Sequence, residues 1–187
     1  MKSDWPDDVT KVVANIPYQI SSPLIKKLTR HLKAQTNPIA HVVLMLQLEF
    51  AQRLSMNHPA DIGSLGLTVA LDWDVEEHHI VPPHHFSPQP AVQSQVVGMK
   101  PHGREFPVDK RLLQQMIHHA FDQRRKKIRS SMKKAPRRIS RIKGWHAQRW
   151  KDAMQSLQDL DIMNARPEEL TLEDWVDFAK KVEKGSK

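Results

Sequence analysis

The sequence predicts an α/β domain followed by a small all-helical domain. Three observations predict it. Residues 9–54 run strand, helix, strand, helix by their apolar spacing. Four prolines within residues 82–90, and then a Pro101-His102-Gly103 break, close the strand-bearing part. From residue 107 onward the apolar residues recur at helical spacing within a basic background. The expected division gives one domain over residues 1–103 and a second over 104–187.

Taken in order, residues 9–16 read as a short buried strand that Pro17 stops. Ser21-Ser22-Pro23 is a helix start with proline in the first turn, and Leu24, Ile25, Leu28 and Leu32 follow at helical spacing to about residue 34. Asn37-Pro38 is a break. Residues 39–46 form a nearly continuous apolar run, the pattern of a strand covered on both faces of a parallel sheet. Residues 49–54 read as helix and 55–63 as a polar loop. Residues 65–71 fit helix or strand. Residues 73–80 alternate less cleanly, 82–90 form a stiff extended loop, and 92–99 return as a strand. In the second domain Leu112, Leu113, Met116, Ile117, Ala120 and Phe121 mark one helix. Ile128, Met132, Ile139 and Ile142 continue the apolar series. Trp145, Trp150, Met154 and Leu157 mark another helix. Thr171 with Asp174 resembles a capping box ahead of a last amphipathic helix.

Composition bounds the function. At 187 residues and 39% hydrophobic, the chain can build a real core. It has no 18-residue apolar run, and its first residues lack the apolar stretch of a signal peptide. It has no cysteine, so disulfides and thiolate metal sites are excluded, which fits the cytosol. Adjacent histidine pairs (His78-His79, His84-His85, His118-His119) have the wrong spacing for shared ligation on a strand, so no metal site is expected. The formal charge of +8 is unevenly placed: residues 101–150 hold 15 Lys+Arg against 3 Asp+Glu, a net of +12, leaving −4 elsewhere. Such a block is either a solvated face or a polyanion-binding surface.

Asn15-Ile16-Pro17-Tyr18 carries the most chemistry. In parallel α/β sheets ligands bind beyond the carboxyl ends of the strands, where this tetrapeptide falls. An exocyclic adenine amine is a poor nucleophile because its lone pair is delocalised into the ring. The Asn15 side-chain oxygen and the Pro17 carbonyl can accept both of its hydrogens, which favours a tetrahedral nitrogen with a directed lone pair. Tyr18 offers a flat face to an extruded base. Read alone, the tetrapeptide is also an ordinary turn after a strand. Phe86, within Pro-Pro-His-His-Phe-Ser-Pro-Gln-Pro, is either the aromatic that closes the other face of the base or an anchor for its own loop.

Four ordered stretches are far more specific together than any one alone: residues 12–24, 45–54, 81–94 with the Val96-Val97 strand, and 120–129 (Ala-Phe-Asp-Gln-Arg-Arg-Lys-Lys-Ile-Arg). With them the chain resembles the KsgA-type family of ribosomal RNA small-subunit adenine-N6 dimethyltransferases, the archaeal members in particular, from residue 9 to about 180. The resemblance implies a Rossmann-like methyltransferase sheet, of which this chain is the C-terminal part, ahead of a helical RNA-binding domain. It implies transfer of methyl groups from S-adenosylmethionine to N6 of two adjacent adenosines near the 3′ end of small-subunit rRNA, in the pre-ribosomal small subunit. It assigns Asn15, Pro17, Tyr18 and Phe86 to the reacting base, and Asn15 and Ile16 to the border of the cofactor. Arg124, Arg125, Lys126, Lys127, Arg129, Lys133 and Lys134 fall to the RNA phosphates. Erythromycin-resistance methyltransferases share Asn-Ile-Pro-Tyr and are the nearest competitor, and a non-catalytic ribosome-assembly module is the alternative of another class.

The chain departs from the family pattern in one respect. The family's glycine-rich turn and ribose-binding acid both precede Asn-Ile-Pro-Tyr, whereas here Gly63 is the first glycine and 14 residues precede Asn15. Asp4, Asp7 and Asp8 carry no assignment to the ribose. The expectation is an N-terminally truncated sheet with an unpaired edge and an exposed apolar face, hence poor solubility and no measurable S-adenosylmethionine binding. Micromolar binding in a calorimetric titration of this chain would contradict it.

Overall fold

The computed structural model describes residues 9–34 and 39–185. The Asn37-Pro38 break and Asp4, Asp7 and Asp8 lie outside the described residues. In chain order the elements are β1 (Lys11–Asn15), α1 (Ser21–Ala34), β2 (His41–Gln47), α2 (Leu48–Ser55), α3 (Ser64–Val69), β3 (Trp73–Val81), β4 (Ser94–Pro101), α4 (Lys110–Phe121), α5 (Ile128–Ser131), α6 (Ala147–Ser156) and α7 (Leu172–Lys184). They gather into two compact units. One holds residues to Asn57 together with Asp72–Gly103, and the other holds His58–Leu71 with Arg104–Lys187. His58–Leu71, which the sequence reading assigned to the first domain, therefore clusters with the helical residues. There α3 packs against α4, and the Lys110 ammonium donates to the Leu71 carbonyl at 3.0 Å.

The first unit is a mixed α/β layer around a four-stranded sheet in the order β1-β2-β4-β3. Among the described residues only β1 and β2 are direct parallel neighbours; β4 runs antiparallel to both β2 and β3. The parallel pairing that the strand–helix order of residues 9–54 suggests forms between β1 and β2, and β4 and β3 extend the sheet with antiparallel pairing. The cause lies in the connections. A parallel neighbour needs a crossover, which α1 supplies between β1 and β2, whereas residues 82–93 link β3 to β4 with no α-helix and allow a hairpin-like return. The uneven alternation of β3 also has a local cause, a register shift between Glu77 and Ile80.

Burial alternates along the central strands. Val42, Leu44, Val97 and Met99 are buried, and they pair as Val42↔Met99 and Leu44↔Val97 on one face. Helices α1 and α2 contribute Ile25, Leu28, Ala51 and Leu54 to the core, and Trp73 Nε1 donates to Thr29 Oγ1 at 2.9 Å. The opposite face carries the row Val13–Val43–Gly98, and Val13 is 80% exposed. The run over residues 39–46 was expected to be covered on both faces; among the described residues it is covered on one. Its second-face residues, Val43 and Met45, are half-buried.

The second unit is helical. Asp109 caps α4 by accepting from the backbone N–H of Arg111 at 2.7 Å and of Leu112 at 3.3 Å. Leu112, Leu113, Met116, Ile117 and Ala120 are all buried, as their spacing predicts. Thr171 and Asp174 form the reciprocal capping box: the Asp174 N–H donates to Thr171 Oγ1 at 3.2 Å, and the Thr171 N–H donates to Asp174 Oδ2 at 2.9 Å. Trp175 and Phe178 of α7 are buried. No helix among the described residues is long and apolar enough to cross a membrane.

Candidate functional site

At the carboxyl end of β1 the chain leaves the sheet through Ile16, which is buried, and Pro17, which is exposed. A 3-10 turn follows over Tyr18–Ile20, closed by the Ile20 N–H donating to the Pro17 carbonyl at 3.1 Å. That contact engages one lone pair of the carbonyl proposed to face the substrate amine, and it leaves the second free of this turn. Tyr18 is half-buried, and its hydroxyl lies 2.7 Å from Ser94 Oγ at the start of β4.

Phe86 arrives from the proline-rich loop. Pro83–His85 form a 3-10 turn there, and the Phe86 N–H donates to the Pro83 carbonyl at 3.1 Å. The loop is thus extended only in part, because the proline φ at 83 also suits the first position of a tight helical turn. The two segments meet. Asn15, Ile16, Pro17, Tyr18, Gln19, Phe86, Pro88 and Pro90 line one hollow of about 230 Å³. Sequence reasoning assigned no role to Gln19, Pro88, Pro90 or Ser94, although the last three lie in the 81–94 stretch that carries the family pattern. A second hollow of about 210 Å³, bordered by His41, Glu76, His78 and Gly98, lies on the uncovered sheet face and holds none of the predicted residues. No group of three or more metal-ligating side chains occurs among the described residues.

In the helical unit Arg124, Arg125, Lys126, Lys127, Arg129, Lys133 and Lys134 are all exposed. The apolar residues between them, Ile128 and Met132, are buried and set the segment on the unit's core. The Ile128 N–H donates to the Ala165 carbonyl at 2.9 Å, and His119 Nε2 lies 2.9 Å from the Lys134 carbonyl. Arg124 differs from the rest: its Nε donates to Glu168 Oε2 at 3.1 Å. That ion pair spends part of its charge within the protein.

The comparisons with known proteins agree in direction. A family profile described as ribosomal RNA adenine dimethylase matches residues 1–154. "Ribosomal RNA small subunit methyltransferase A" of Prochlorococcus marinus is 34% identical over 178 residues, which cover 92% of this chain and 57% of that protein. An archaeal protein, the "probable ribosomal RNA small subunit methyltransferase A" of Methanospirillum hungatei, is 32% identical over 167 residues, covering 88% of this chain and 60% of its own. The bacterial and archaeal relatives are thus about equally distant. The chain spans under two thirds of the length of each. Among solved structures, a dimethyladenosine transferase from Plasmodium falciparum matches with a TM-score of 0.78 at 24% identity, covering 98% of this chain and 70% of that one. At that identity the likeness speaks for the fold.

Proposed function

The chain belongs to the ribosomal RNA adenine dimethylase family, and on that premise we propose that its sheet-bearing unit holds an adenine extruded from small-subunit rRNA for N6-dimethylation. One observation carries the reading: Asn15, Pro17, Tyr18 and Phe86, from two segments far apart in sequence, line a single hollow. In this reading the base stacks between Tyr18 and Phe86, since an aromatic face accepts any base by its π-surface. The Asn15 amide oxygen and the remaining lone pair of the Pro17 carbonyl take the two N6 hydrogens. The amine is thereby held pyramidal, with its lone pair directed. The exposed cations of the helical unit hold the phosphates, which fixes the strand without reading its sequence.

The methyl donor in this proposal is S-adenosylmethionine, which supplies an electrophilic methyl group when bound. Asn15 and Ile16 would border its reactive end. The hollow, at about 230 Å³, falls below the roughly 300–1,000 Å³ of a typical cofactor-sized site. Its lining includes no carboxylate for a ribose diol. The residues described here therefore fit the acceptor base and do not by themselves make a seat for the donor. The substrate is proposed to be two adjacent adenosines near the 3′ end of the small-subunit rRNA, met in the pre-ribosomal small subunit. A cytosolic setting is part of the proposal.

The test is base stacking. Tyr18→Ala is expected to weaken binding of a short RNA carrying 2-aminopurine at the target position by about tenfold or more, from the roughly 1–3 kcal/mol of one stacked base. An abasic oligonucleotide should bind both proteins alike. Equal losses on the two oligonucleotides would refute the reading.

A further inference from the structure

We propose that Ser94 is a positioning residue that acts through Tyr18, a role resting on the adenine-stacking reading above. Ser94 opens β4 and is 0% exposed. It is paired on both sides, with Gln47 of β2 and with Val81 of β3. The residue before it is tied as well, because the Leu48 N–H donates to the Gln93 carbonyl at 3.0 Å. Ser94 is therefore as fixed a point as this sheet offers. Its Oγ lies 2.7 Å from the Tyr18 hydroxyl, across a separation of 76 residues.

Tyr18 needs such a point. It stands in a three-residue 3-10 turn beside an exposed proline, and it is only half-buried. Packing alone would leave its ring free to tilt about χ1. A ring held at Cβ by the backbone and at its hydroxyl by Ser94 is attached at both ends of its long axis. It can flip about that axis, which leaves the plane unchanged, and it cannot swing away from Phe86. The contact also defines what Tyr18 does. With the hydroxyl tied to a buried partner, what the residue offers the hollow is the face of its ring.

The chain has one tyrosine, so a ring-labelled sample gives a single assignable signal. In the full chain, ring ¹³C relaxation is expected to report a rigid Tyr18. In Ser94→Ala the order parameter should fall toward the flexible range, below roughly 0.6. Ser94→Thr, which keeps a hydroxyl, should restore it. Binding of the 2-aminopurine RNA should weaken roughly fivefold in Ser94→Ala, the equilibrium factor of one ordinary hydrogen bond. Tyr18→Phe removes the same bond from the other side and should give a similar loss, and the double variant should be no weaker than either single one. An unchanged ring order in Ser94→Ala, or losses that add in the double variant, overturns the proposal. A loosened ring together with adenine binding that survives Tyr18→Ala supports the positioning and refutes the stacking reading instead.

Discussion

Reversing Arg125, Lys126 and Lys127 to glutamate is expected to lower affinity for a ribosomal RNA hairpin by on the order of 100-fold or more. A hydrogen bond to a charged group contributes about 1.5–3 kcal/mol, so three lost together exceed two decades even after screening at an exposed surface. The salt dependence should change with the affinity. Each phosphate contact adds roughly 0.7–0.9 to the slope of log K against log salt, so the slope should fall by about 2–3. Filter binding at several salt concentrations measures both quantities. All three side chains are exposed, so the melting temperature should barely move. Arg124 is left out because of its ion pair with Glu168. A glutamate there would face Glu168 and mix a loss of fold with a loss of binding. Unchanged affinity in the triple variant would mean that the basic block is only a solvated face.

The distinction between Arg124 and its neighbours shows where the sequence is legible and where it is not. The alternation of buried apolar residues with cations over 124–143 is written in the chain, because helical and turn spacing is local. The capping box at Thr171 and the cap at Asp109 are local too, and both form. The Asn15–Tyr18 turn could be read because proline fixes its own backbone. What could not be read depends on partners distant in sequence. No local signal tells that Glu168 will neutralise Arg124, or that Ser94 will meet Tyr18. The direction of β4 follows from the loop before it, so its antiparallel pairing could not be read from the strand–helix order that predicts the parallel β1–β2 pair. The segment 65–71 fits either period, and the helical state of most of it is fixed by packing of α3 against α4. Phe86 and Tyr18 were each ambiguous alone, and the fold is what brings them to one hollow.

Trp150→Ala is expected to destabilise the helical unit by about 3–5 kcal/mol, a large part of the 5–15 kcal/mol typical of a whole domain. The indole is fully buried, and its Nε1 donates to the Met132 carbonyl at 2.9 Å. Trp145 packs edge-on to it at 6.2 Å between ring centroids. Met132 and Trp145 are the two ends of the segment that carries Lys133, Lys134, Arg137, Arg138, Arg141 and Lys143, so one side chain pins both ends of a basic loop. Trp150→Phe separates the two roles. It keeps most of the apolar volume and leaves the Met132 carbonyl without its donor, at a cost of about 1–3 kcal/mol. Denaturant unfolding followed by near-ultraviolet circular dichroism measures both variants. A loss under 1 kcal/mol for Trp150→Ala would show that the loop is held elsewhere. RNA binding gives the second readout. Trp150→Phe removes no charge, so a loosened loop should weaken affinity while leaving the salt slope nearly intact. In the charge-reversal variant affinity and slope fall together, and that difference separates a phosphate site that must be pre-shaped from one that needs only its charge.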